Sequence, residues 1–153
     1  MRLTELHVHR EEIWLDAACA HGLAEHLFLH LPHEACGVLR GNAAAGGMRI
    51  ETFFPIRNVA PDPLHRFTLN PQEWVQECLN PSGLLGIFHT HPHSAPVPSA
   101  EDLRQLPLFG DLLRIYLISS PDESGSSIVT HAYFIDRSPA GEFALRPARL
   151  CMT

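Results

Sequence analysis

The sequence predicts an α/β fold, a single mixed-sheet sandwich flanked by helices, and three observations carry that expectation. A stretch near the N-terminus is apolar at helical spacing, several later stretches are short, apolar and β-rich, and short helical stretches fall between them. Hydrophobic residues make up 45% of the chain and charged residues 18%, the balance of a folded globular protein rather than a disordered one. With 153 residues, no repeat and no linker composition, residues 1–153 read as one domain with enough chain to bury a core.

Each element follows from local pattern. Residues 3–8 alternate as a short strand. Across 11–31, Ile13, Ala17, Ala20, Leu23, Ala24, Leu27 and Phe28 recur every three or four positions, which predicts a helix carrying Trp14 on one face. Pro32 stops it, because proline cannot continue the hydrogen-bond ladder. Residues 33–41 then read as an apolar strand opening on Glu34, and small residues 42–47 connect it to a strand over 48–56. Residues 57–66, with Pro61 and Pro63, form a loop. A short strand over 67–69 leads to Asn70-Pro71, an N-cap with proline at the first helical position, and a helix over 72–79 carrying Trp74. Strands are expected over 84–91, 112–119, 128–137 and 143–149, with a short helix over 99–106.

Composition excludes several classes. The formal net charge is -6 with neutral histidines, so the basic footprint of a nucleic-acid binder is not expected. No apolar run is long enough to cross a bilayer, and the N-terminus lacks a signal peptide's apolar core. Cys19, Cys36, Cys78 and Cys151 are scattered without a Cys-x-x-Cys pair, which suits reduced thiols in a cytoplasm.

Chemistry concentrates between residues 89 and 102. His89 and His91, if extended, point to one face with Thr90 on the other. Pro92, Pro96 and Pro98 stiffen a return toward Asp102. Two imidazoles and a carboxylate are a typical ligand set for a catalytic zinc ion. Ser99 and Asp102 also stand at capping-box spacing, so an ordinary helix cap competes for them. Glu34 is the candidate general base, since activated water needs a carboxylate to take its proton.

Together, Glu34 in Glu-Ala-Cys-Gly-Val-Leu-Arg-Gly and His89-Thr90-His91-Pro92, six residues, Ser99, two residues and Asp102 closely resemble the JAMM (MPN+) metallopeptidase family. The likeness extends to the leading helix, Arg57-Asn58-Val59, Arg66-Phe67 and the closing strands, as in the small stand-alone prokaryotic members. It implies a cytidine-deaminase-like architecture and one zinc ion per chain held by His89, His91 and Asp102. Glu34 would deprotonate the catalytic water, and Ser99 would donate to the oxyanion. The implied reaction is cleavage of peptide or isopeptide bonds after the C-terminal Gly-Gly of a ubiquitin-like or sulfur-carrier protein. Asn58, Arg66 and Thr68 are candidates to line the groove for that extended tail. The reading leaves room for a homodimer.

Other residues weigh less. His7 and His9 form a second His-x-His pair but lack a stiff return and a distant base. His93 reads as a cleft-edge residue and His33 as an exposed turn residue beside Glu34. Cys36 shares a strand face with Glu34 and reads as a small buried hydrophobe rather than a fourth ligand. Two rival functions remain: a non-catalytic binding scaffold, whose relatives typically lack these ligands, and a DNA-repair-associated protein, which the acidic balance disfavours.

Overall fold

In a computed structural model, the chain is described over residues 11–44 and 46–153. The strand expected over 3–8 and the His7–His9 pair lie outside the described residues. Strands β1 (Glu12–Leu15), β2 (Cys36–Ala44), β3 (Gly47–Ile56), β4 (Leu84–Thr90), β5 (Ile115–Pro121), β6 (Ile128–Arg137) and β7 (Phe143–Met152) close into a barrel in the order β1-β3-β2-β4-β5-β6-β7. Helices α1 (Ala17–His30), α2 (Pro71–Cys78) and α3 (Ala100–Phe109) interrupt the strands, and a short 3-10 turn, Gly110–Leu112, follows α3.

This corrects the expected fold: the protein is a closed seven-stranded mixed barrel with three helices among the described residues, not an α/β sandwich flanked by helices. The cause is β1. Its residues pair in parallel with β3 on one side (Ile13 with Met48) and with β7 on the other (Ile13 with Leu150), so the two strands that would have been sheet edges are joined. Helical spacing concealed it, because Ile13 and Ala17 fit one helix face. Their actual states differ. Ile13 and Leu15 are buried in strand alternation, Trp14 lies on a strand rather than a helix, and α1 starts only at Ala17.

The central strands are buried on both sides. Val38, Ile87, Tyr116 and Ile118 join one apolar cluster, while Leu39, Phe88, Ile115 and Leu117 join another, as period-two alternation requires. Gly86, between Leu39 and Ile115, has no room for a side chain: an added Cβ would lie 2.3 Å from the Ile115 carbonyl oxygen. Asn70 caps α2 as expected, its side chain accepting the Glu73 N–H at 3.0 Å with Pro71 at the first helical position. The strand expected over 67–69 is reduced to a single bridge between Asn58 and Leu69. Helix α3 runs through Pro107 to Phe109, beyond the stop expected at 106.

Helix α1 buries Cys19, Leu23, His26 and Leu27. His26 is the unusual member, since its Nε2–H donates to the Cys36 carbonyl at 3.0 Å and so ties the helix to the start of β2. Burial lowers its pKa to about 4, the Cys36 bond opposing and the charge of His30 assisting that shift. The folded pKa is depressed, so the stabilising effect is complete above the unfolded value of 6.5 and is lost as pH falls toward 4. Discounted for partial hydration, the loss is on the order of 1–2 kcal/mol. Urea unfolding of the wild type and His26→Gln between pH 7 and 4 checks this; the variant is expected to lose less stability over the interval.

Candidate metal centre and catalytic site

The site grows from the end of β4, a strand buried at every position. Strand alternation puts His89 on the face of Ile87 and turns Thr90 the other way, where its Oγ1 accepts the Ala35 N–H at 2.8 Å and its N–H donates to the Ala35 carbonyl at 3.0 Å. That exchange pins the residue next to Glu34 against the metal segment. His91 lies one residue past β4 and continues the pairing through its N–H, which donates to the Ser119 carbonyl at 2.8 Å.

The return loop is held at three consecutive carbonyls. Ser120 Oγ donates to Ser94 O at 2.7 Å, His91 Nδ1–H to Ala95 O at 2.8 Å and Tyr133 Oη to Pro96 O at 2.9 Å. Ser99 and Asp102 then cap α3 reciprocally: the Ser99 N–H donates to Asp102 Oδ2 at 2.8 Å, and the Asp102 N–H donates to Ser99 Oγ at 3.1 Å. The cap and the candidate third ligand are therefore the same device, because the contact that starts the helix also aims the carboxylate. Phe67 stacks on the His89 ring at 4.4 Å and fixes its plane from the other side.

Three residues converge. His89 Nε2 and His91 Nε2 are 3.0 Å apart, and they stand 3.1 and 3.0 Å from Asp102 Oδ1 and Oδ2 respectively. Since His91 Nδ1 carries the proton given to Ala95 O, its Nε2 presents a lone pair to that point. Ligands on a tetrahedral zinc ion would be about 3.3 Å apart, given bonds of about 2.0 Å. The residues fit a zinc ion in spacing and in donor type. His89, His91 and Asp102 are also the one group of this kind among the described residues.

The electrostatics agree. Burial alone would raise Asp102, but the contacts to His89 and His91 and the Ser99 N–H outweigh it and hold the carboxyl well below its usual range. Burial lowers His89 despite its contact with Asp102, so that ring stays neutral. For His91, burial is outweighed by Asp102, the Ala95 carbonyl and Glu34, so the ring attracts positive charge. An ionised carboxylate and a negative field are what a cation requires. Glu34 is buried beside them, and burial raises its pKa to about 8, with His91 and Arg66 opposing and Asp102 and Asp62 assisting.

The remaining expected residues are spread over this frame. Asn58 uses its amide on the loop itself, donating to the Glu34 and Arg66 carbonyls and accepting the Ala60 and Thr68 N–H groups, each at 3.0 Å. Arg66 and Thr68 line a cavity of about 410 Å³ with Leu69, Trp74 and Phe109, walled on the other side by Glu101 and Gln105 of α3. Cys36 is outside the metal group; its thiol donates to Ile56 O at 3.3 Å and burial raises its pKa to about 12. His93 donates from Nε2 to Pro32 O at 3.1 Å and links the metal loop to the Glu34 loop, while His33 is exposed. Sequence reasoning missed the roles of Phe67, Ser120 and Tyr133. Tyr133 and Ser120 lie in or at the end of strand-like runs and Phe67 stands between Arg66 and Thr68, and none of these positions signals a contact with the site.

A buried His-x-His and Asp set with a carboxylic acid beside it agrees with the JAMM (MPN+) resemblance of the sequence. Residues 15–132 match the family described as prokaryotic homologs of the JAB domain, and the chain belongs to that family. The chain is 39% identical over 95 residues to a desampylase from Haloferax volcanii, covering 60% of this chain and 65% of that protein. It is 31% identical over 84 residues to a probable TtuB-protein conjugate cleaving protease from Thermus thermophilus, covering 52% of this chain and 53% of that protein. A tail tip assembly protein K from Escherichia phage N15 is 32% identical over 108 residues, covering 71% of this chain and 39% of that protein. The matches thus span between 39% and 65% of the curated relatives. The solution structure of a Desulfitobacterium hafniense protein superposes with a TM-score of 0.72 at 27% identity, covering 92% of each chain.

Proposed function

We propose that the chain is a zinc-dependent isopeptidase that hydrolyses the bond after the C-terminal Gly-Gly of a ubiquitin-like or sulfur-carrier protein. The observation that carries the reading is the convergence of His89, His91 and Asp102 on one point, with Glu34 buried beside them. The similarity to the Haloferax desampylase and the probable Thermus conjugate cleaving protease favours this substrate class.

His89, His91 and Asp102 would hold a zinc ion, which would supply Lewis acidity toward the scissile carbonyl and acidify water. Glu34 is the proton carrier. Its carboxylate, buried beside the three converging residues, can take a proton from the attacking water and return it to the departing amine; the charge of a bound cation would favour that ionised form against burial. Ser99 gives the lone pair of its Oγ to the Asp102 N–H, which leaves its own hydroxyl proton free for the oxyanion. The hydrogen bonds from Ser120, His91 and Tyr133 keep that hydroxyl and Asp102 in register. Arg66 and Thr68, which line the cavity of about 410 Å³, are our candidates to contact the extended tail that carries the Gly-Gly, and Asn58 shapes the loop that carries them.

The test is bond assignment. The zinc-loaded protein is incubated with a ubiquitin-like protein joined through its Gly-Gly terminus to a lysine side chain, and the products are weighed. The expected product is the carrier ending in Gly-Gly with a free lysine amine. Binding of the carrier without cleavage would instead favour the scaffold.

A further inference from the structure

His89 Nδ1 and Tyr116 Oη are the two buried side-chain polar atoms without a hydrogen-bond partner among the described residues. They are neighbours. Tyr116 pairs across β4 and β5 with Ile87, two residues before His89, so both side chains leave the sheet on the face of the metal centre. Their rings meet edge to face, with centroids 5.4 Å apart and planes at 85°. Phe67, stacked on His89, offers only carbon to that surrounding.

His91 shows what the ligand geometry requires. Its Nδ1 proton is held by the Ala95 carbonyl, and its Nε2 lone pair is thereby presented to the shared point. His89 turns Nε2 to the same point and must carry its proton on Nδ1, inside a site with no solvent exposure. An N–H so placed needs an acceptor. We propose that Tyr116 is a positioning residue for His89: its hydroxyl oxygen accepts the Nδ1 proton, across at most one bridging water, and fixes the tautomer and orientation of the ring toward the cation. The inference rests on the reading of His89 as a zinc ligand.

The test compares Tyr116→Phe with the wild type in two measurements. Zinc affinity is read by competition with a chromophoric chelator, and the thermal midpoint is read on metal-free protein. The variant is expected to bind zinc about 10- to 100-fold more weakly, the usual cost of losing the partner of a ligating histidine. Its metal-free midpoint should be little changed, because without a cation His89 can carry its proton on Nε2 and donate it to Asp102 Oδ1, 3.1 Å away, so that Nδ1 no longer needs an acceptor. Unchanged zinc affinity overturns the inference. Weaker affinity with a matching fall in the metal-free midpoint overturns it as well, since that pattern belongs to packing alone. His89→Ala, measured alongside, separates the two readings. If it retains wild-type zinc affinity, the ligand assignment fails whatever Tyr116→Phe does; if it loses zinc while Tyr116→Phe keeps it, only the positioning role fails.

Discussion

Glu34→Gln is expected to slow conjugate cleavage by about 10²- to 10⁴-fold, the range for removing a general acid–base, with the zinc content unchanged. Glutamine keeps the shape and the hydrogen-bonding oxygen but cannot take a proton. The local frame survives the change, because it is held by main-chain contacts: the Glu34 N–H donates to Pro63 O at 2.7 Å, and its carbonyl accepts from Asn58. Nor does Glu34 belong to the three converging ligands. Steady-state cleavage rates combined with metal analysis check the prediction. A variant that retains full rate would remove Glu34 from the mechanism.

Asp102→Asn should act on the other half of the site. The carboxylate is held ionised by His89, His91 and the Ser99 N–H against the opposing effect of burial. An amide of the same shape keeps one oxygen for the cap but loses the charge, and its NH₂ group repels a cation. Zinc binding should weaken by at least about 100-fold, from loss of the anionic ligand, and cleavage should fall in proportion at limiting zinc. Excess zinc is expected to restore part of the rate in this variant and none in Glu34→Gln. That contrast separates ligand from base in a single titration.

The candidate metal segment was legible because it is local. His89, His91, Ser99 and Asp102 lie within one stretch, and both period-two alternation and the capping box can be read without knowing the fold. Glu34 is far away in sequence, and only its company with that stretch identified it. The barrel was not legible, because closure depends on pairing Glu12–Leu15 with strands far along the chain, and those four residues also fit the helix that follows. Asn58 shows another limit: a polar residue in a proline-rich loop reads as solvent- or substrate-facing, yet it joins the Glu34 and Arg66 loops through four hydrogen bonds. Tyr116, inside an apolar strand, gave no sign that its ring meets that of His89 or that its hydroxyl is buried without a partner.

The most direct measurement is a zinc titration of the metal-free protein, read as cleavage of a Gly-Gly-linked conjugate. Activity should be absent without metal, rise linearly with added zinc and level off at about one ion per chain. Cleavage at full rate by the metal-free protein, or a zinc-loaded protein inert toward every Gly-Gly-linked conjugate, would contradict the account.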